Sequence, residues 1–250
     1  TGYNKSVMPV QPIYKTEGRM LLARALAVNT NGLGLGATKV GVITADDEAG
    51  LGMVEGVKHQ QSFTTAQVVY ADTPAKTGSN HAAAVEKVKD CDVIIVCANQ
   101  GPFGEILNFM KNANVNKPVI TSYVSANVNT LGALELDGAI TADRPVYTNA
   151  WLDITTTEGF NDYGAFAGVI CLYYGDYTGA GLTDITSDVY KMATNSYAMA
   201  GYVAATMFLQ GLARVQAAEQ PLTWLNYINA MESAPISVPM GGEIDFSEGN

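Results

Sequence analysis

The strongest constraint is a short run, Asp92-Val-Ile-Ile-Val-Cys-Ala98, apolar from its second residue to its last. A half-buried strand alternates polar and apolar residues; an unbroken apolar run of strand length belongs to a strand covered on both faces, which is the condition of a parallel sheet. The flanking sequence has the matching rhythm. Thr16–Val28 places Met20, Leu21, Ala25 and Leu26 at helical spacing. Lys39–Thr44 reads as a strand, with a helix expected from about Ala49 to Ser62. Gln67–Tyr70 is the next strand, Pro74–Gly78 a loop and Asn80–Lys89 a helix. After the apolar strand, Gly101–Gly104 is expected to turn into a helix running to Asn112, followed by a strand at Lys117–Ser122. Strands alternating with helices at this spacing predict an α/β doubly wound parallel sheet flanked by helices, with right-handed crossovers.

The second half is less periodic. Asn127–Tyr147 reads as irregular with a strand at Gly138–Thr141, and Thr148–Thr186 as a long Gly/Tyr/Thr-rich stretch with few period signals. A long helix is expected over Asp188–Gln216. Pro221 stops the chain, Thr223 caps a short helix over Trp224–Glu232, and Pro239–Phe246 reads as a turn and a short strand.

Composition narrows the partners. Lys and Arg total 14 against 24 Asp and Glu, a net charge of −10, whereas nucleic acids and anionic membrane surfaces require a basic face. No apolar run reaches the roughly 18 residues of a membrane span, and Thr1-Gly2-Tyr3-Asn4 lacks the basic and apolar regions of a signal peptide. Cys91 and Cys97 lie roughly 20 Å apart along one extended strand and cannot pair; with Cys171 they read as buried thiols.

Candidate binding residues come from a rule of geometry: open α/β sheets bind ligands at the carboxyl ends of their strands. Asp46-Asp47-Glu48 follows the first strand, where acids also cap the next helix. Asn99-Gln100 follows the apolar strand and offers two amides that donate and accept. Ser122-Tyr123 follows the fourth and offers a flat aromatic wall with a hydroxyl. Gly32–Gly36 is not a dinucleotide loop, because it follows a helix and precedes a strand. His59 and His81 fall on helices away from strand ends. No nucleophile elbow, metal-ligand spacing or phosphate loop is present, so no catalytic residue, metal or cofactor is assigned.

Several segments resemble the type I periplasmic binding proteins of ABC importers, in the leucine/isoleucine/valine-binding subfamily. Lys39–Gly56 is similar to the strand, acidic turn and helix that open the family's second lobe, and Asp92–Leu107 and Lys117–Ser122 to the strands that follow. Ser196–Ala205 resembles the helix in which the chain has returned to lobe one, and Pro239–Phe246 a hairpin near the family's end. The resemblance implies an interlobe crossover at 1–14, lobe two at 15–147, and a return crossover with a partial lobe one at 148–250. It also implies that the N-terminal part of lobe one and the C-terminal end are missing here.

The resemblance further implies an extracytoplasmic receptor, not an enzyme, that binds a small solute between lobes and delivers it to a membrane permease. By position, the solute contacts are Asp47, Glu48 and Ala49, then Asn99 and Gln100, then Ser122 and Tyr123, with Trp151 as an aromatic wall. Amino-acid binders of the family commonly carry Tyr at the first two places and an acid at the third, where the solute ammonium pairs. The present Ala49, Asn99 and Tyr123 instead suit an uncharged or aromatic solute, or an anion held by amides. A ligand sensor of the same fold and a doubly wound enzyme working from the Asp46/Asp47 rim are the competing readings.

Overall fold

In the computed structural model, residues 8–28, 34–125 and 128–247 are described. The chain divides into two compact units, Pro12–Ala150 and Thr1–Gln11 with Trp151–Asn250.

Within Pro12–Ala150 the order is α1 (Tyr14–Leu26), β1 (Lys39–Thr44), α2 (Glu48–Gln61), β2 (Gln67–Tyr70), α3 (Ala82–Val88), β3 (Val93–Cys97), α4 (Gln100–Asn112), β4 (Val119–Thr121), α5 (Val128–Leu136) and β5 (Val146–Thr148). The strands form one parallel sheet of order β2-β1-β3-β4-β5. Every residue of β3, the apolar run, is buried. Its pleat sends Ile94 and Val96 to one face, with Phe103, Ile106, Leu107 and Met110 of α4 and Val85 and Val88 of α3. Val93, Ile95 and Cys97 go to the other, with Leu21 and Leu22 of α1 and Met53 and Val57 of α2.

Helices α1 and α2 approach until backbone touches backbone. A Cβ at Gly18 would stand 1.9 Å from the Met53 carbonyl oxygen, and one at Gly56 would stand 2.0 Å from that of Lys15. Only glycine permits this spacing, which carries the start of α1 close to the sheet.

Two expectations fail in this unit. Gly138–Thr141 is not a strand, since only Thr141 makes an isolated bridge, to Arg144. The fifth strand is Val146–Thr148, and α5 fills part of the stretch read as irregular; Asn127 lies outside the described residues. Arg144 decides the geometry here: its buried guanidinium donates to the carbonyls of Val115, Gly138 and Ala139 and to Asn116 Oδ1, a role no periodicity announces. The Gly101–Gly104 segment is the first turn of α4 and not a separate loop. Gly34–Gly36 connects α1 to β1 as expected; Gly32 and Leu33 lie outside the described residues.

The other unit contains α6 (Thr157–Tyr174), a short 3₁₀ turn (Ala180–Leu182), α7 (Asp188–Ala193), α8 (Ser196–Ala217), α9 (Trp224–Glu232) and the antiparallel hairpin β6 (Ile236–Val238) and β7 (Gly242–Ile244). The Gly/Tyr/Thr-rich stretch Thr148–Thr186, which has few period signals, holds an 18-residue helix. The expected single helix over Asp188–Gln216 is two, because Asn195 breaks it and its side chain accepts from the Tyr197 and Ala198 amides to cap α8. Phe166, Val203, Met207, Tyr227, Met231 and Phe246 anchor the core, and Asp162 ties the hairpin to α6 by accepting the Met240 N–H at 2.8 Å. Among the described residues no helix is long and apolar enough to cross a membrane.

Candidate functional site

The chain runs from β1 outward to β2, then returns past β1 to β3. Loops leaving β1 and β3 therefore diverge, and a crevice opens between their carboxyl ends. It has a volume of about 450 Å3 and is lined by Asp46, Asp47, Ala75, Lys76, Thr77, Asn99, Gly101 and Pro102. Two of the expected contact residues, Asp47 and Asn99, meet here.

Asp47 does both things expected of an acid at this position. Its Oδ1 accepts the Gly50 N–H at 2.8 Å and caps α2, while Oδ2 accepts from Asn99 Nδ2 at 3.3 Å across the crevice. Asn99 is the N-cap residue of α4 but makes no side-chain cap, because its amide is turned to Asp47. The first turn of α4 has no acidic residue. The carboxylates that share the crevice with the start of α4 therefore come from Asp46 and Asp47.

Lys76 and Thr77, in the Pro74–Gly78 loop after β2, form the opposing wall. The signal was available: this loop also follows the carboxyl end of a strand. Lys76 Nζ lies 3.3 Å from the Asp46 carboxylate. The loop is braced from behind by Glu105, which accepts the Gly78 N–H at 2.9 Å and pairs with His81 Nε2 at 2.9 Å. Those bonds, the one to His81 first, hold the Glu105 carboxyl below the usual carboxylate range. His81 is thus a buried brace on the loop and not a contact residue.

Beside the crevice, Gln100 Nε2 donates to the Val124 carbonyl at 3.1 Å. Ser125 Oγ donates to the Ala98 carbonyl, fastening the β4 turn to the end of β3. Tyr123 is half-buried and its N–H donates to Asn149 Oδ1 at 3.1 Å. Ser122 is fully buried, and its Oγ accepts the Val124 N–H at 3.2 Å. Ala49 is also buried, Glu48 is exposed at the start of α2, and neither lines the crevice. Trp151 belongs to the other unit, where it packs against the core.

One acid had no signal in the sequence. Glu17, in the first turn of α1, is 1% exposed, and burial pushes its carboxyl above the usual carboxylate range against smaller opposing effects of Ser122 and Asn149. Its Oε2 and Asn149 Nδ2 are both buried and have no hydrogen-bond partner among the described residues. The amide is near enough to act on the acid's ionisation, so the two groups adjoin without a normal bond.

A parallel sheet of this order, with a polar crevice at the carboxyl ends of its central strands, has the architecture of one lobe of a solute receptor, an architecture other doubly wound proteins share. Residues 20–250 match the family model described as Periplasmic binding protein, and the chain belongs to that family, in its type I, leucine/isoleucine/valine-binding-like branch.

Solved structures share the fold at low identity. A fatty acid ABC transporter substrate-binding protein from Thermomonospora curvata superposes with a TM-score of 0.68 at 16% identity, covering 98% of this chain and 57% of that one. A leucine binding protein from Thermotoga maritima gives 0.65 at 14%, covering 97% and 61%. A solute binding protein of an ABC transporter from R. palustris, in complex with benzoate, gives 0.58 at 18%, covering 93% and 55%. The chain therefore spans less than two thirds of these relatives' length. No curated protein matches it.

Proposed function

We propose that this chain is the solute-recognising part of an extracytoplasmic receptor that hands a small solute to the membrane permease of an ABC importer, binding without turnover. In this reading residues 15–147 are lobe two and residues 148–250 return to lobe one. The observation that carries the proposal is the Asp47–Asn99 pair across the crevice between β1 and β3, at the position where this fold places ligands.

Charge bookkeeping at the crevice selects the solute class. An ammonium-bearing solute needs an unengaged carboxylate once water is excluded. Asp46 faces Lys76, and Asp47 is engaged by the Gly50 amide and Asn99. The place of the usual third contact is held by Tyr123, which carries no charge. In the crevice itself there remain the Asn99 amide and the Thr77 hydroxyl, with Tyr123 beside it. With Asp46 and Asp47 against Lys76, that set suits a solute with an apolar or aromatic body and no ammonium, either uncharged or with one carboxylate held by amides. Proteins of the same fold named above include fatty-acid and benzoate receptors as well as a leucine binding protein, so the fold admits this class without selecting it.

Titration calorimetry on the intact protein with benzoate, octanoate and leucine tests the reading. Benzoate or octanoate is expected to bind at least tenfold more tightly than leucine and to be recovered unchanged. Asn99→Ala should weaken that binding by about tenfold, the loss of one to two hydrogen bonds. Preferential binding of leucine overturns the solute class. Chemical conversion of a bound solute overturns the receptor reading.

A further inference from the structure

The chain passes between its two compact units twice, from Gln11 to Pro12 and from Ala150 to Trp151. Two buried polar side chains stand close to these passages. Glu17 lies one turn into α1, just after the first, and Asn149 lies one residue before the second. An acid in the first turn of a helix ordinarily faces water and opposes the helix dipole. Glu17 is instead turned inward, onto the ends of β4 and β5, where its neighbours are Ser122 and Asn149.

Those two neighbours also hold the turn that carries Tyr123, beside the crevice. Asn149 Oδ1 accepts the Tyr123 N–H, and Ser122 Oγ accepts the Val124 N–H. Both retain a donor, the Asn149 amide hydrogens and the Ser122 hydroxyl, and these are the groups that act on the Glu17 carboxyl. A single buried acid therefore adjoins both side chains that set the backbone on either side of Tyr123. A buried acid with an oxygen lacking a bond, beside an amide nitrogen in the same condition, is costly unless the arrangement does something.

We propose that Glu17 is a positioning residue that links the Tyr123 turn, beside the crevice, to both chain passages, through Ser122 and Asn149. A displacement of Tyr123 then pulls on Asn149, one residue from the second passage, and on α1 at the first. The proposal rests on the reading that Tyr123 faces the solute. The charged and titratable groups on α1, α2, β4 and β5 are Tyr14, Lys15, Arg19 and Arg24 on α1, Glu48, Glu55, Lys58 and His59 on α2, and Tyr147 on β5. None of them contributes to the rise in the carboxyl's pKa, which comes from burial. Its titration therefore reports its own surroundings.

The test is an amide spectrum of the intact protein labelled with ¹⁵N-tyrosine, recorded from about pH 4 to about pH 8, a window that brackets a raised carboxyl. The Tyr123 signal is the one lost in Tyr123→Phe. It should shift with a midpoint above the ordinary value of 4.5, and the shift should be absent in Glu17→Gln, which keeps size and hydrogen bonding. Asn149→Ala, which removes the acceptor, should abolish it independently. A Tyr123 amide that does not titrate, or that still titrates in Glu17→Gln, overturns the proposal. Benzoate, octanoate and leucine added to the same sample separate the two readings. A signal that follows pH but ignores all three solutes keeps the tie and removes the solute assignment. One that follows a solute but not pH does the reverse.

Discussion

Replacing Gly56 by alanine should loosen the helix pair that carries Glu17. The new methyl would stand 2.0 Å from the Lys15 carbonyl oxygen and 2.9 Å from the Arg19 nitrogen, both backbone atoms of α1. No rotamer change relieves such a contact, so the helices must part by about 1.4 Å to restore van der Waals distance. A gap of that size forfeits more than half the dispersion attraction between Leu21, Leu22 and Ala25 on α1 and Met53, Val54 and Val57 on α2. Overpacking against backbone costs about 3 kcal/mol, the upper end of the usual range, offset by about 1 kcal/mol of improved helix propensity. The net loss is about 2 kcal/mol. Gly132 on α5 provides the control, since a Cβ there meets nothing within 4 Å. The same change at Gly132 should stabilise by about 0.5–1 kcal/mol. Urea unfolding followed by circular dichroism reads both as midpoint shifts of opposite sign. A midpoint for Gly56→Ala at or above that of the unsubstituted protein would refute the argument from close approach.

Two further outcomes follow from buried and capped charges. Arg144→Met leaves the carbonyls of Val115, Gly138 and Ala139 without their donor and should cost about 3 kcal/mol in the same unfolding measurement. Asp92 accepts from the Thr38 and Lys39 amides and the Thr38 hydroxyl, and these bonds, that to Lys39 first, hold its carboxyl below the ordinary value of 3.8. A lowered acid adds stability above its unfolded pKa and loses it as pH falls through the folded one. Asp92→Asn should therefore be less stable than the unsubstituted protein near neutrality. The difference should shrink below about pH 4, as thermal melts across that range would register.

Much of the larger unit was legible because its signals are local. The bounds of β1 and β2 follow from their apolar runs, and β3 was readable as doubly covered from composition alone. Asp47 as a cap follows from an acid placed just before an apolar-periodic helix. Where periodicity was diluted, the reading failed. In α6, Gly159, Gly164 and Gly168 interrupt the apolar stripe, and Thr and Tyr read equally well as strand or turn residues. The break between α7 and α8 depends on where one Asn side chain bonds, which spacing does not encode.

By itself, the sequence determined the alternation of strands and helices, the parallel character of the sheet and the set of loops that stand at its carboxyl ends. These depend on residues within a few positions of one another. Only the tertiary structure decided that Lys76 and Thr77 stand opposite Asn99, that Asn99 reaches Asp47, and that Glu17 comes to rest against Ser122 and Asn149. Parallel strands pair only through crossovers, so the order β2-β1-β3-β4-β5 brings together residues far apart in the chain. Which of them meet depends on how the crossover helices pack, and at Gly18 and Gly56 that packing rests on the absence of a methyl group.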